Sequence, residues 1–451
     1  MTHAHSPSLS SLHPTTPMTV FKSRRDRLLK AIGEAILVLP VASEAIRNRD
    51  VYHAFRQDSD FLYLSYFLEP NAVLVLDGKT QQSTLFSRPL DELHAIWEGD
   101  IIGQQRAQRD YLFDASDEIA RFDAFLLEQC YLHDTLIMPF SRYADFDSRV
   151  LTIIEQAKAT RRARAPQQLL HSDQFIHPMR LIKDEYEIAA MQHAADISIE
   201  AHKALMQQTQ PGQYEYQLAA RLDYQFRHHF GVEAYGHIVA SGNNACTLHY
   251  RKNNALLRDG DLLLVDAGCE YHGYAADITR TFPVNGRFTQ SQAAVYQWVL
   301  TAMEAALAAA KPGNSIRSPH EAATHVLIEG MLALGLVSGT AEQVYADKTY
   351  QRYFMHGTSH WLGIDVHDVG DYKTQSDEDV QLQPGMALTI EPGLYIRADD
   401  ESAPEALRGI GIRIEDDVII TPDGHLNLTG ATPKSIDAIE ACCADAAREI
   451  N

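Results

Sequence analysis

The chain has 451 residues, of which 45% are hydrophobic and 22% are charged, proportions that exclude a fibrous or disordered protein and indicate a folded globular one. This length favours two or three domains. Acidic residues outnumber basic residues by 60 to 39 and give a formal net charge of -21; such a surface repels phosphate backbones and anionic lipids, so neither nucleic acid nor a membrane is an expected partner.

The amino-terminal segment and the cysteines indicate where the protein resides. Residues 1–17, MTHAHSPSLSSLHPTTP, contain no positively charged stretch followed by an apolar one, so we predict a disordered tail and not a secretory signal. The apolar run AILVLPVA is far shorter than the ~20 residues of a membrane-spanning helix. The five cysteines form no C-x-x-C pair and do not resemble a disulfide framework. We therefore expect a cytoplasmic protein.

Residues 18–180 alternate between helical and strand-like patterns. The charged amphipathic stretch FKSRRDRLLKAI is followed by the apolar runs EAILVLP, NAVLVLDG and TLIMPF, which are separated by helical segments such as SDEIARFDAFLLEQ. This alternation predicts an amino-terminal α/β domain. The polar, basic segment QAKATRRARAPQQ favours a domain link in or just after it, and we assign residues 18–180 to this domain and residues 181–451 to the next.

Residues 181–451 contain two copies of one structural pattern. A helical stretch that begins LIKDEYEIAAMQ ends at Pro211 and Gly212, and a second helical pattern, QYEYQLAARLDYQFRHHFG, follows it. Further along, AAVYQWVLTAMEAALAAAKPG ends at Pro312 and Gly313 and again precedes a helix. Strand-like sequence follows each helix pair. The pattern predicts a pseudo-two-fold domain with any functional site at the seam between its halves.

Two aspartates flank a turn in the segment DLLLVDAGCEYHGYAADITRTF. If the turn is centred between Tyr271 and His272, Asp266 and Asp277 are equally far from it and lie opposite one another on one face of a hairpin. Like charges that are directly opposed across two strands destabilise a sheet. Either a bulge shifts the register, or a cation lies between the two carboxylates.

The second half of this domain carries two further acids in strand-like sequence, Glu391 in MALTIEPGLYI and Glu415 in GIGIRIEDDVIIT. Any one of these four acids, taken alone, fits a paired or edge-exposed structural role. Four in matching places, with a histidine beside them, favour an oxygen-rich site for two divalent ions about 3.5–4 Å apart. Hard oxygen donors without thiolates suit manganese better than a structural zinc, with zinc, cobalt or iron as substitutes.

Five segments resemble, in their order along the chain, the motifs of one family: GNNACTLHY, VDAGCEYHGYAADITRTF, MHGTSHWLGIDVHDVG, LTIEPGLYI and IRIEDD. This family is the pita-bread metallopeptidases, and among them the Xaa-Pro aminopeptidases, also called aminopeptidases P. The segments FRQDSDFLYLSYFLEPNAVLVL and HAIWEGD are similar to the amino-terminal domain of the same family. The resemblance covers the chain from about residue 18. It implies an N-terminal α/β domain followed by a C-terminal pseudo-two-fold pita-bread (creatinase/aminopeptidase) domain.

The resemblance also implies which side chains bind metal. Two divalent ions, most often manganese in this subgroup, would be held by five ligands: Asp266, Asp277, His360, Glu391 and Glu415. Of these, Asp277 and Glu415 are expected to bridge the two ions. No ligand position is substituted in this sequence.

Further residues fall on substrate positions of the family. His249 and His367 match the positions that steady the scissile carbonyl and the tetrahedral intermediate. His356 and Arg413 match positions beside the pocket for proline. The resemblance places Trp97 and Asp50 at a wall of the substrate channel, although a core tryptophan and a loop aspartate are alternative roles for these two residues.

The implied reaction is hydrolysis of the N-terminal peptide bond that precedes proline. A water that bridges two dications gives hydroxide at neutral pH, and Glu391 is placed to act as general base and then as acid towards the proline nitrogen. His249 and His367 would stabilise charge on the carbonyl oxygen. The proline ring, whose nitrogen carries no hydrogen, allows a shaped pocket to exclude ordinary peptides.

Two alternatives to an aminopeptidase P remain open. A prolidase cleaves only Xaa-Pro dipeptides; HGTSHWLG resembles the aminopeptidase version, whereas prolidases more often carry glycine at the position of Ser359. A catalytically inactive relative would use the same fold to bind peptides, but such proteins usually lose metal ligands. From the resemblance alone we also expect a homo-oligomer, either a dimer or a tetramer, whose partners are proline-containing peptides.

Overall fold

A computed structural model of the chain describes residues 16–159 and 164–449. These residues form two compact units, which divide between Arg180 and Leu181. The tail that we predict for residues 1–17 lies, apart from its last two residues, outside the described residues. Among the described helices, none combines the length and the apolar character needed to cross a membrane.

The first unit is built from helices around one large sheet. Its helices are α1 (Met18–Ala31), α2 (Ser59–Ser65), α3 (Glu92–Glu98), α4 (Gly103–Tyr111), α5 (Phe122–Leu132), α6 (Ala144–Lys158) and α7 (Asp173–Leu181). Its strands are β1 (Ile36–Pro40), β2 (Ile46–Asn48), β3 (Val51–Tyr52), β4 (Val73–Asp77), β5 (Gln82–Ser87), β6 (Ala115–Glu118), β7 (Thr135–Met138) and β8 (Gln168–His171). Six of these strands form the sheet β6-β5-β4-β1-β7-β8, and β2 and β3 form a separate hairpin.

The order of strands in this sheet explains the apolar runs of the sequence. The central strand β1 pairs antiparallel with β4 and parallel with β7, and all five of its residues are buried. Strands buried on both faces need continuous apolar sequence and do not alternate. The edge strand β8 begins at Gln168, so most of the basic segment that we took as the domain link precedes the last strand of this sheet.

A buried carboxylate ties α7 into the first unit. Asp60 accepts hydrogen bonds of 2.7 Å from both Arg180 and Arg142, and His177 Nε2 lies 3.3 Å from Asp173 Oδ1 and 3.6 Å from Asp60 Oδ2. Burial favours a raised pKa for Asp60, but the hydrogen bond from His177 and the two guanidinium charges outweigh burial and lower it. Because the arginines already neutralise these acids, we interpret the cluster as an ion-pair network.

The second unit contains the remaining elements. Its helices are α8 (Glu185–Gln208), α9 (Glu215–His228), α10 (Gln290–Ala309), α11 (Ser318–Ala333), α12 (Ala341–Ala346) and α13 (Ile436–Glu449). Its strands are β9 (Val232–Glu233), β10 (Ile238–Ser241), β11 (Leu262–Asp266), β12 (Cys269–Tyr271), β13 (Tyr274–Ala275), β14 (Thr279–Pro283), β15 (Ala387–Ile390), β16 (Gly393–Ile396), β17 (Ile410–Arg413), β18 (Asp416–Thr421) and β19 (Gly424–Asn427).

These elements repeat one order, as the sequence pattern predicts. In the first half, α8 and α9 precede β9–β14, which include the three-stranded sheet β10-β11-β14. In the second half, α10, α11 and α12 precede β15–β19, which include the three-stranded sheet β15-β18-β19. The long helices begin at residues that cap them: Asp184 and Thr289 accept hydrogen bonds from the first turns of α8 and α10.

The hairpin between Asp266 and Asp277 differs from our prediction. Tyr271 pairs with Tyr274, so the turn consists of His272 and Gly273, whose φ angles are 51° and 86°. Two left-handed residues are typical of a tight hairpin turn. The turn therefore lies one residue later than we assumed, and Asp266 pairs with Thr279. The prediction that the two aspartates are directly opposed is wrong; they lie diagonally on one face, which relieves part of their repulsion.

Two acids stand directly opposite one another in the second half of this unit. Ile390 pairs with Asp416 on one side of a break in the ladder, and Gly393 pairs with Arg413 on the other side. Glu391 therefore stands opposite Glu415 within the break. We expected both glutamates inside strands, and this was wrong: Glu391 directly follows β15 and Glu415 lies between β17 and β18. The residue after Glu391 is proline, which has no N–H for the ladder and accounts for the interruption.

Candidate metal centre and active site

One cavity of about 410 Å³ in the second unit is lined by side chains from both halves. Nine residues selected from the sequence line it, namely Asp266, Asp277, His360, Glu391, Glu415, His249, His367, His356 and Arg413. The cavity lies at the seam that the repeat predicts, because two of its acids come from each half. Asp266 ends β11 and Asp277 lies between β13 and β14 in the first half, and Glu391 and Glu415 lie at a strand break of the second.

The carboxylates converge around the imidazole of His360. One ligand atom each of Asp277, His360 and Glu415 lies within 4.8 Å of the others. His360 Nε2 is 3.5 Å from Asp277 Oδ2 and 3.8 Å from Glu391 Oε1. The other ring nitrogen, Nδ1, lies 3.0 Å from the carbonyl oxygen of Trp361. Such a backbone partner orients a metal-ligating histidine and directs Nε2 towards the ion.

Asp266 is held at the other side of this cluster. The hydroxyl of Tyr235 lies 2.6 Å from Asp266 Oδ1 and also contacts Asp277 Oδ1. The guanidinium group of Arg413 donates to Asp266 Oδ2. Because a tyrosine hydroxyl donates only one proton, its two carboxylate contacts together require a proton or a cation on one of the acids.

The electrostatics of the cluster indicate a shortage of positive charge. Burial raises the pKa of Glu391 to about 7, also raises the pKa of Asp277, and lifts the pKa of Glu415 well above its usual value. Burial favours a lower pKa for His360, but the hydrogen bond and the charge of Asp277 outweigh it and raise this pKa to about 9. Cations can replace the protons that these groups hold. The donor set therefore fits two divalent ions.

A hydrogen-bonded wall adjoins the metal cluster. His356 Nδ1 lies 2.6 Å from the carbonyl oxygen of Gly357, and His356 Nε2 lies 2.8 Å from the hydroxyl of Tyr395. The same hydroxyl accepts a bond of 3.2 Å from Arg413. Burial, followed by the charge of Arg413, lowers the pKa of His356 to about 3. His356 is therefore neutral, donates through Nδ1 and accepts through Nε2.

His249 lies on the loop between β10 and β11, which a single carboxylate holds in place. Glu215, fully buried at the start of α9, accepts hydrogen bonds of 2.8–3.0 Å from this loop. The donors are the backbone N–H and hydroxyl of Ser241, the side-chain amide of Asn244, the hydroxyl of Tyr250 and the backbone N–H of Ala255. A buried carboxylate needs such donors when no cation is beside it. The network fixes the loop directly beside His249.

His367 is exposed to the cavity and lies against the imidazole of His360. The two ring centroids are 4.4 Å apart, and the rings meet at 77°. Burial, and after it the charge of His360, lowers the pKa of His367. The residue that follows, Asp368, is buried. The chain thus directs consecutive side chains to opposite sides, one into the cavity and one into the protein.

Sequence reasoning missed several polar groups of this site. Thr279 donates to Glu415 Oε2 at 2.6 Å and accepts from Arg413 at 3.0 Å. Tyr235 and Tyr395 supply the hydroxyls described above. A polar residue on the face of Asp277, two positions further along, was a usable signal for Thr279. The two tyrosines had none, because tyrosine in an apolar segment is an ordinary core residue.

Trp97 and Asp50 belong to the first unit. Trp97 is 85% exposed, so the alternative role as a core tryptophan is wrong for this residue. Asp50 is exposed in the turn between β2 and β3. The cavity is formed by the second unit, and the role of these two residues at a channel wall stays a prediction.

Comparisons with known proteins agree with this arrangement. Residues 189–422 match Metallopeptidase family M24, and residues 21–137 match Aminopeptidase P, N-terminal domain. The chain is 41% identical to a Xaa-Pro aminopeptidase of Escherichia coli over 93% of this chain and 96% of that protein. Aminopeptidase PepP of Pseudomonas aeruginosa is similar in structure, with a TM-score of 0.94, 42% identity and coverage of 96% and 99% of the two chains. A zinc-substituted E. coli aminopeptidase P in complex with product is also similar, with a TM-score of 0.93 and 39% identity over 96% of this chain and 99% of that chain.

These matches show that the chain belongs to metallopeptidase family M24. Within this family it belongs with the aminopeptidases P, because both their amino-terminal domain and their catalytic domain are matched. The predicted fold class, an N-terminal α/β domain followed by a pita-bread domain, is confirmed.

Proposed function

We propose that this metallopeptidase is a dinuclear aminopeptidase that hydrolyses the N-terminal Xaa-Pro bond of peptides. The observation that carries the proposal is the convergence of Asp266, Asp277, His360, Glu391 and Glu415 on one cavity, with a shortage of positive charge that two divalent cations would satisfy. A relative of 41% identity carries the name Xaa-Pro aminopeptidase. All five side chains expected to bind metal are present in this chain and line one cavity.

Two divalent ions are the proposed cofactor, and manganese is the preferred metal. Four carboxylates and one imidazole form a hard donor set, which suits manganese, while zinc and cobalt are expected substitutes. A relative is known in a zinc-substituted form. When bound, such ions supply Lewis acidity, which activates water and polarises a carbonyl group.

The side chains of the cavity divide the remaining work of hydrolysis. Glu391 takes the proton of the attacking water on a carboxylate oxygen and passes it to the proline nitrogen as the C–N bond breaks. His249 and His367 donate N–H bonds to the carbonyl oxygen as negative charge develops there. The products are the free first amino acid and a peptide that begins with proline, whose nitrogen is now a free secondary amine.

The proline subsite is proposed at the wall formed by His356, Arg413 and Tyr395. These side chains hydrogen-bond to one another, so the wall keeps its shape and offers few unpaired acceptors to an ordinary peptide N–H. A proline nitrogen carries no hydrogen and needs no acceptor there. Selectivity for proline follows from ring shape together with this missing donor.

A matched set of peptides tests the function. We expect manganese-dependent cleavage of Xaa-Pro-Xaa, no cleavage of Xaa-Ala-Xaa, and cleavage at the amino-terminal residue only, measured by mass spectrometry of the products. A prolidase would instead prefer the Xaa-Pro dipeptide over the tripeptide. An inactive peptide-binding relative would cleave neither substrate. Either of these results would contradict the proposal.

The assembly state is proposed from an exposed apolar face in the first unit. On α3, Leu93 and Ile96 are 71% and 77% exposed and lie beside the exposed Trp97. Apolar side chains that cluster on a surface mark interaction sites. We propose a homo-oligomer in which α3 contacts a second copy. We also propose a cytoplasmic location, because the five cysteines are free thiols and a reducing compartment keeps thiols free.

A charge placed on α3 tests the assembly state. The double substitution Leu93→Glu with Ile96→Glu is expected to convert a dimer or tetramer to the monomer, as measured by sedimentation velocity. Leu132→Glu changes another exposed leucine of the same unit and should leave the mass unchanged. A wild-type chain that sediments as a monomer at micromolar concentration would contradict the proposal.

A further inference from the structure

Lys183 and Asp368 form an ion pair that is shut off from solvent. Lys183 Nζ lies 2.8 Å from Asp368 Oδ2, and 1% of each side chain is exposed. Lys183 precedes α8, and Asp368 directly follows His367. Neither residue lines the cavity of about 410 Å³. The pair therefore lies outside the residues that the proposed function uses.

The pair closes a loop, residues 361–368, which follows His360 and carries His367 near its end. The backbone N–H of Asp368 donates to the carbonyl oxygen of Trp361 at 2.9 Å, and the carbonyl oxygen of Gly363 accepts from Ala275 at 2.8 Å. A Cβ atom on Gly363 would meet Asp368 Oδ2 at 2.1 Å. The carboxylate thus rests against the loop backbone at a place where only glycine fits.

Lys183 is fixed to the strand that leads to Glu391. Its backbone N–H donates to the carbonyl oxygen of Gly385 at 2.8 Å, and its neighbour Ile182 forms an isolated bridge with Met386. Strand β15 begins at the next residue, Ala387, and ends directly before Glu391. The ion pair therefore connects the His367 end of the loop to the base of the strand that presents a metal-ligand position.

Stability does not account for this pair. Removing two charges from water costs free energy that their mutual attraction often fails to return, so replacing a buried pair by apolar side chains of similar size is frequently neutral or stabilising. A hydrogen-bonded ion pair fixes the relative orientation of its two side chains, which apolar contacts do not. A loop with little regular secondary structure needs such a contact to fix the orientation of the side chains at its end.

We propose that Lys183 and Asp368 are positioning residues for His367. By locking Asp368 inward, the pair turns the preceding side chain into the cavity, where its ring meets the ring of His360. The inference rests on the proposed function, because it assumes that His367 acts on the substrate carbonyl. It adds two residues to the reaction that touch neither metal nor substrate.

The central test removes the ion pair without leaving a buried charge. In the double variant Lys183→Met with Asp368→Leu, we expect thermal stability and manganese content like those of the wild type, but kcat for an Xaa-Pro-Xaa peptide about 10²-fold lower, with little change in KM, because a small misplacement of a catalytic group costs that much. Full kcat in a stable double variant would overturn the proposal. Should this variant fail to fold, Asp368→Asn, which keeps the shape and one acceptor, takes its place, with a smaller loss expected.

A second experiment combines variants to test whether the loss of kcat depends on His367. Added to His367→Ala, the double variant should cause no further loss of kcat, because residues that act as a unit are not additive. Additive losses would mean general damage and overturn the proposal. The matched control, Arg287→Met with Glu440→Leu, removes another ion pair of the second unit whose residues do not line the cavity and should retain kcat.

A readout without turnover separates this proposal from the proposed function. In protein labelled at histidine ring carbons, the signal of His367, assigned by its absence from His367→Ala, should move or broaden in the Lys183→Met, Asp368→Leu variant. An unchanged signal would overturn the positioning role even if the enzyme were active. A shifted signal in a chain that cleaves no Xaa-Pro peptide would support the positioning role and refute the function.

Discussion

Replacing Glu391 with glutamine should lower kcat for an Xaa-Pro-Xaa peptide by about 10²–10⁴-fold, the range that a positioned acid–base group contributes. Glutamine has nearly the same shape but takes up no proton, so the transfer from water to the proline nitrogen loses its carrier. Steady-state kinetics with excess manganese measure the effect.

The loss must be separated from a loss of fold or of metal. Glu391 stands opposite Glu415 at a strand break, so a neutral amide relieves repulsion and should leave the metal-free fold intact or firmer. Glu233→Gln, which removes a carboxylate from the exposed strand β9, is the matched control and should retain full activity. Complete turnover by the Glu391 variant, with metal bound, would remove this residue from the mechanism.

Manganese should stabilise the protein more strongly as the pH rises from about 6 to about 9, because metal binding must displace the protons of its ligands. The metal-free native state holds a proton on Glu391 up to a pKa of about 7 and on His360 up to a pKa of about 9. Both values lie above those of the unfolded chain, so each proton stabilises the metal-free fold at lower pH and is lost as the pH rises through the raised pKa. Metal competes with these protons and therefore gains affinity in the same window.

Thermal denaturation with and without manganese, at several pH values, measures this dependence. Two equivalents of metal are expected, and chelation should abolish peptide cleavage. His360→Ala should remove the part of the pH dependence above neutrality together with most of the binding, whereas His325→Ala, at a histidine stacked on Tyr345, should leave it unchanged. A stabilisation by manganese that falls towards high pH would contradict the ligand assignment.

Much of the catalytic unit was predictable because its chemistry is unusual for its local sequence. Acids within apolar, strand-like sequence demand a compensating charge, and this holds for Asp266 and Asp277 as for Glu391 and Glu415. Each of the two Pro-Gly turns separates the two long helices of one half, at residues on which a helix commonly ends. The segment from His356 to His367 carried three imidazoles whose different roles only the resemblance distinguished.

The remainder depended on contacts between distant parts of the chain. The hairpin register depends on the left-handed conformation of His272, which is uncommon for a residue other than glycine. Pro392 marks the break after Glu391 in the sequence, but the position of Glu415 opposite Glu391 follows from the pairing of β15 with β18 and of β16 with β17. Tyr235 and Lys183 find their partners far along the chain, where local periodicity carries no information.

The hairpin register also limits how this protein can change in length. Because side chains alternate along a strand, one residue inserted or deleted between Asp266 and Asp277 would move one of these aspartates to the opposite face and away from its partners. Gly268, which stands opposite Asp277, tolerates no side chain there, since a Cβ atom would meet the carbonyl oxygen of Ala276 at 1.6 Å. Natural variants are therefore expected to keep this interval at constant length and to accumulate their insertions in surface loops.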